Sequence, residues 1–423
     1  AGEGGDPSIE DQLEIFSWWT SGGEAAALNA LIDVFREDYP STFVTNAAAG
    51  DPSNARERLQ TRLDEGDPPD TFQAVSGVNV QSHITSGKLQ AIDDLASELG
   101  LPTAFPDEVM KTVSHEGQLY AVPLNIERDN NVYYNKAVLA ASSVTPPTTL
   151  QEFYDACVTL QADDVTPLSI APAGWVLALT AFENLMPAVN GGDFYMKYFA
   201  GDADLSAGSA DRAQLEALFT ELDKVLACSD IAEASSSSWT LAMDELLDGT
   251  AAMSVMGDWA KGYLAQGSWT AGVDFDVVPG LGSSGYYVFN SAAFPLPENA
   301  PHPNAAKAFL SVMASEAGQL AFNMEKGAIP ARLGVSLDDF DAMTQSSAQD
   351  YAAAAEGTNK LLPGYASMSS YDFQSEINDA LLIFALGGDA AGKWISVTSG
   401  EESIVQGDVT YIVNVIAANY DQM

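Results

Sequence analysis

The sequence predicts an α/β protein built as two lobes, and three observations carry that reading. Apolar strands alternate with amphipathic helices from Leu13 to Leu99, the βαβ pattern of a largely parallel sheet. The chain of 423 residues is longer than one ordinary hydrophobic core organises. At Thr145-Pro146-Pro147-Thr148-Thr149 the texture changes, and helical patterns dominate to Leu226 before strands return.

The opening stretch sets the frame. Leu13 to Phe16 reads as a strand, Ser21-Gly22-Gly23 breaks it, and Ala26, Leu28, Leu31, Ile32 and Phe35 recur at helical spacing. Trp18 and Trp19 stand at the carboxyl end of that strand, where open α/β sheets bind their ligands. Adjacent side chains point to opposite sides, so one of the two rings is expected to face solvent or a ligand. A short strand at 42–46, a helix at 54–64, a strand at 71–75 and helices at 78–86 and 89–99 follow. Residues 117–124 read as a hairpin strand feeding a crossing, and 130–134 as another strand. Thr149 caps a helix that begins at Leu150. The serine run 235–238 reads as a loop before a helix at 239–247, and 249–256 as a buried strand. Strands at 273–278 and 286–294 and helices at 304–314 and 317–322 precede a chiefly helical remainder.

Fifty-nine acidic side chains oppose seventeen basic ones, a net charge of -42. Such a surface argues against nucleic acid and anionic membrane as partners. The acids are spread along the chain and form a coat, tolerable where salt shortens the Debye length to about 3 Å at 1 M. Adaptation to high salt is therefore expected. No run of eighteen apolar residues exists, so no membrane-spanning helix is predicted. Cys157 and Cys228 lie 71 residues apart (228 − 157) with no Cys-x-x-Cys. A disulfide made in an oxidising compartment is the expected reading, two unpaired buried cysteines the alternative. With three histidines and no Asp-x-Asp-x-Asp-Gly loop, neither metal nor cofactor is expected. The polar start, Ala1-Gly2-Glu3-Gly4-Gly5-Asp6-Pro7-Ser8, reads as a flexible leader left after removal of an export signal, with a lipid tether as one possibility.

Four segments together resemble the solute-binding proteins of sugar-importing ABC transporters, in the branch of the glucose-binding proteins. They are 13–24 with the double tryptophan, and Pro123-Leu124-Asn125-Ile126-Glu127-Arg128 with Tyr133-Tyr134-Asn135. The third runs from Trp239 through Met256-Gly257-Asp258-Trp259, and the fourth is Lys326-Gly327-Ala328-Ile329-Pro330-Ala331-Arg332 with the helix before it. The resemblance spans nearly the whole chain. It implies a class II periplasmic-binding-protein fold, two α/β lobes joined by a hinge with an interlobe ligand cleft. The lobes would comprise 13–124 with 289–327, and 125–288 with 328–423, after a leader at 1–12. Function would be capture of a monosaccharide, glucose or a close relative, by a periplasmic or extracellular monomer that delivers it to membrane permease subunits.

Carried over by position, Trp18, Trp19, Glu24, Asn125, Glu127, Arg128, Trp259 and Lys326 would line the ligand site. The family commonly has an aspartate just before the small–aromatic pair of a later strand, where the run here is Asn290-Ser291-Ala292-Ala293-Phe294 and Asn290 is the candidate; Glu127 stands where histidine is frequent. Gln81, His83 and Trp175 join the candidates from their loop-edge positions, and Asp258 reads as a helix cap. The chemistry fits: a pyranose offers an apolar C–H face to an aromatic plate and a rim of hydroxyls to carboxylates, amides and cations. Near Pro363-Gly364-Tyr365-Ala366-Ser367 serine replaces a frequent histidine, so the identity of the sugar stays open, disaccharides and other polyols included. A secreted carbohydrate-active hydrolase is the competing class, since two carboxylates and tryptophans would serve it too. No Gly-x-Ser-x-Gly nucleophile motif occurs.

Overall fold

The computed structural model describes residues 9–48, 52–232, 234, 236–358, 360–389, 403–404 and 406–423. The leader expected at 1–12 falls on residues 1–8, outside the described ones, and on 9–12, which belong to the fold. Glu10 accepts hydrogen bonds from Thr42 Oγ1 on its carbonyl and from Ala305 N on its carboxylate, and the first strand already begins at Gln12.

The chain divides into two compact units, one of residues up to Glu127 with Asn290–Phe340, the other of Arg128–Phe289 with Asp341–Met423. The divisions fall at 127/128, 289/290 and 340/341, where 124/125, 288/289 and 327/328 were expected. The third moves furthest for a physical reason. Arg332 donates to Ala314 O at 2.9 Å and its own N–H to Gln319 Oε1 at 3.0 Å, while Leu333 N donates to Ala104 O at 2.7 Å. Those bonds hold the segment after Pro330 to the first unit.

In the first unit, strand Gln12–Phe16 lies between Phe43–Asn46 and Thr71–Phe72, all parallel, with Leu13 opposite Val44 and Ile15 opposite Thr71. Helix Gly22–Asp38 buries Ala27, Leu28, Leu31, Ile32 and Phe35 and packs on helix Glu316–Lys326. Strand Ala292–Pro297 pairs antiparallel with Ala74–Val75, Leu89–Gln90 and Ala121–Pro123. Three expected elements are thereby broken. The strand at 71–75 parts at Gln73, which accepts a hydrogen bond from Ser17 Oγ. The strand at 286–294 parts at Ser291. The helix at 89–99 begins with a strand because Leu89 and Gln90 pair with Pro297 and Leu296, so helix starts only at Asp93.

In the second unit, strands Thr166–Ser169, Ala251–Val255, Asn131–Asn135 and Phe275–Pro279 form one sheet in that order. Helix Leu150–Ala162 opens with a capping box between Thr149 and Glu152. Helices Ala210–Leu226, Tyr371–Leu386 and Val409–Asn419 complete the apolar core around Leu218, Phe219, Leu381 and Ile412. Cys157 and Cys228 are joined in a disulfide, their Cα atoms 5.8 Å apart.

Among the described residues the buried acids are Asp70, Glu127, Asp129, Glu183, Asp211 and Asp258, so most of the described acids have access to water. We propose that stability depends on screening of this coat. The unfolding free energy from urea titration is expected to rise by at least about 1 kcal/mol as KCl goes from low to molar, and the midpoint with it. A midpoint indifferent to KCl would remove the salt-adaptation reading.

Candidate functional site

In the first unit several of the candidate residues gather at the carboxyl end of strand Gln12–Phe16. Ser17 N donates to Asn46 Oδ1 at 2.9 Å, Asn46 Nδ2 returns a bond to Ser17 O at 2.8 Å, and Trp19 N donates to Ser17 Oγ at 3.2 Å. This stapled turn splays the two indoles. Trp19 is buried, 5.0 Å from the Phe322 ring and 6.0 Å from Phe294. Trp18 stays half-buried, with the Arg56 guanidinium 5.1 Å from its ring centre. Of the pair, Trp18 keeps access to solvent, and Trp19, expected as a ligand contact, forms a buried wall.

Lys326 stands on that wall. It is the last residue of helix Glu316–Lys326, where the exposed carbonyl ends favour a cation, and Gly327 ends the helix in the left-handed region at φ 85°. Lys326 Nζ lies 5.1 Å from the Trp19 ring centre, 2.6 Å from Glu24 Oε1 and 2.8 Å from Glu127 Oε1. Burial opposes the ammonium charge, but Glu127 and Glu24 outweigh it and hold the lysine pKa above its ordinary value. Glu24 reaches the group from the first turn of helix Gly22–Asp38, and Glu127 from strand Asn125–Arg128. The helix carrying Lys326 is locked to the chain before Asn125 by Gln319 Nε2 to Pro123 O and Asn323 Nδ2 to Leu124 O, both 3.0 Å.

Asn125 is buried and accepts a 2.9 Å bond from Ala292 N, which sets the break at Ser291. Asn290 is half-buried next to this break. Gln81 and His83 belong elsewhere. Gln81 donates to Ser114 O at 2.8 Å and meets His115 Nδ1 at 2.8 Å, so its amide ties two elements together. His83 is buried edge-on against Phe72, 5.4 Å between centres, and burial lowers its pKa to about 4. Neither residue is placed with the Glu24–Lys326 group. Gln73, Ser76 and Ser291, all buried beside strand ends, were not among the candidates. Gln73 and Ser76 stand in the turn directly after the strand, ahead of the helix that was chosen.

In the second unit Arg128 is an anchor. Its guanidinium donates through Nη1 to Asp350 Oδ2 at 2.6 Å, through Nε to Asn130 Oδ1 at 3.3 Å and through Nη2 to Tyr286 O at 3.4 Å, stacked 4.8 Å over the Tyr287 ring. Each of the three nitrogens donates one bond, so this residue, expected as a ligand contact, ties helix Ala342–Ala355 to the strands. Asp258, expected as a helix cap, makes no capping bond and accepts one from Arg128 N at 2.9 Å. Trp259 opens helix Trp259–Gln266, half-buried, with its ring lying on Gly257; a Cβ there would come within 2.0 Å of Trp259 Cζ3. The glycine of Met-Gly-Asp-Trp is a seat for the indole. Trp175 begins helix Gly174–Ala178 and is exposed.

Among the described residues no three His, Cys, Asp or Glu side chains are placed to hold a metal ion, and no helix is long and apolar enough to cross a membrane.

Comparison with known proteins places these features. The family of bacterial extracellular solute-binding proteins matches residues 30–356. A protein of Mesorhizobium japonicum described as a "probable sugar-binding periplasmic protein" is 32% identical over 349 residues, 82% of each chain. The xylose/arabinose-binding protein XacG of Haloferax volcanii is 28% identical over 83% of this chain and 77% of its own. Among solved structures, the bacterial solute receptor AcbH, described with an exclusive preference for β-D-galactopyranose, superposes with a TM-score of 0.78. It shares 18% identity and covers 97% of this chain and 98% of its own. The raffinose-bound protein RafE superposes with a TM-score of 0.70 at 19% identity, over 97% and 98%. The fold is that of these two-lobed α/β binding proteins, and the chain belongs to the bacterial extracellular solute-binding protein family.

Proposed function

We propose that this protein captures a monosaccharide, glucose or a close relative, outside the cytoplasm and hands it to the permease subunits of an ABC importer, without chemistry on the sugar. The observation that carries the reading is the buried Lys326 ammonium on the Trp19 wall with two carboxylates bound to it. Such charged groups make the stronger hydrogen bonds to hydroxyls, roughly 1.5–3 kcal/mol each, and Trp18 and Trp259 offer plates for the apolar sugar face. Relatives described as sugar-binding, aligned over 82% and 83% of this chain, support the same reading.

Capture is proposed to work by hinge closure at the three chain crossings. Sugar shifts the population toward the closed form by no more than its preference for that form. A second reading, a disaccharide or longer ligand, is favoured by the raffinose-bound neighbour and by Ser367 where histidine was expected. Titration calorimetry in molar KCl against glucose, galactose, xylose and a set of disaccharides decides between them. Micromolar binding of one monosaccharide is expected; a disaccharide signal alone would select the second reading. Turnover of a labelled oligosaccharide would overturn both in favour of a hydrolase.

Trp259→Ala tests the plate. Affinity is expected to fall at least about tenfold, about 1.4 kcal/mol, with the melting temperature little changed because the ring is only half-buried. Unaltered affinity would take Trp259 out of the site.

A further inference from the structure

The Glu24–Lys326–Glu127 group sets one ammonium against two carboxylates, a formal charge of −1 (+1 − 2). Access to it is uneven. The lysine side chain is 2% exposed, whereas Glu24 keeps 27% and Glu127 12%. A molecule arriving at this edge therefore meets carboxylate oxygens, which only accept hydrogen bonds, ahead of the ammonium, which only donates them. The neighbouring cation Arg56 does not redress the balance. It is stacked on Trp18, which packs on the core cluster that includes Phe16, Leu59 and Phe72, while Lys326 sits over Trp19, whose ring packs by Phe294 and Phe322.

Resting on the sugar-binding reading of this edge, we propose that Glu24 and Glu127 make the site a reader of hydrogen-bond donors: it takes neutral sugars and protonated amino sugars and rejects sugar acids. Hydroxyl and ammonium groups can each donate to a carboxylate. A uronate carboxylate cannot donate, and it brings a third negative charge to a partly buried group, where like charges are screened less than in bulk water. The amino sugar brings the opposite charge and returns the group to neutrality.

The test is titration calorimetry of the full chain in molar KCl with D-glucose, D-galactose, D-glucosamine, D-galactosamine, D-glucuronate and D-galacturonate. For whichever neutral sugar binds, its uronate is expected to bind at least about 100-fold more weakly, and its amino analogue within about tenfold or more tightly. In Glu127→Gln, and separately in Glu24→Gln, the gap between neutral sugar and uronate is expected to narrow at least about tenfold. A uronate that binds as well as its neutral parent overturns the proposal, as does an amino sugar bound far more weakly than that parent. An unchanged gap in both variants overturns it too, and assigns the rejection to shape. Absence of binding by any of the six would instead sink the monosaccharide reading on which the proposal rests.

Discussion

Replacing Lys326 by methionine is expected to destabilise the protein by ~3 kcal/mol and to abolish sugar binding. Methionine fills a similar volume, so packing on Trp19 and Phe322 changes little. What changes is charge. Glu24 and Glu127, both bound to the ammonium at under 3 Å, are left facing each other with no counter-ion. The figure sits at the low end for breaking a buried ion pair because both carboxylates keep some access to water. Urea unfolding in molar KCl measures the first effect and calorimetry the second. The two separate in a triple variant, Lys326→Met with Glu24→Gln and Glu127→Gln. Removing all three charges is expected to return most of the stability, since no uncompensated charge remains, without returning the binding. A Lys326→Met protein as stable as the parent would show that the carboxylates relax into water, and the group would lose its standing as a buried network.

Removing the disulfide by Cys157→Ala with Cys228→Ala is expected to cost about 4 kcal/mol of unfolding free energy. The bridge closes a loop of 71 residues between helix Leu150–Ala162 and the end of helix Ala210–Leu226. In the chain-entropy account the gain comes from restricting the denatured chain, and it grows with the logarithm of loop length. Both cysteines lie in the core of the second unit, whereas the Trp19–Lys326 group belongs to the first. Sugar affinity of the reduced-loop variant should therefore match the parent well below its melting temperature. Chemical denaturation of parent and double variant provides the number. A loss under about 1 kcal/mol would mean that the unfolded chain keeps these helices together without the bridge.

Much of the candidate site's geometry was legible in the sequence where residue type and local position agree. Lys326 is one of only seventeen cations, sits before a glycine that ends a helix, and proves to be the centre of the ion network. Glu24, in the first helical turn after the strand, was likewise readable as a group near the sheet edge. The tryptophan pair was legible as a splayed pair. Which ring faces inward depends on Phe294 and Phe322, some 300 residues away in the chain, and no local pattern reports them.

The misplaced residues share that cause. His83 has the composition of a ligand and the position of a core residue, because Phe72 from the preceding strand closes on it. Arg128 lies in the right segment, yet Asp350 from a distant helix takes its guanidinium. Asp258 stands where a cap should, but the backbone N–H of Arg128 claims its carboxylate. In each case a long-range partner outcompeted the local role.

By itself the sequence determined the α/β class, the strand-turn-helix around Trp18 and Trp19, the acidic coat and the cysteines available to pair. These follow from periodicity, turn chemistry and charge count, all properties of neighbouring residues or of the sum. Only the tertiary structure decided where the units divide, which breaks interrupt the strands at Gln73 and Ser291, and which polar side chains are spent on structure. Those outcomes depend on hydrogen bonds and ion pairs between residues far apart in the chain. Their strength is set by burial, and burial exists only once the chain has folded.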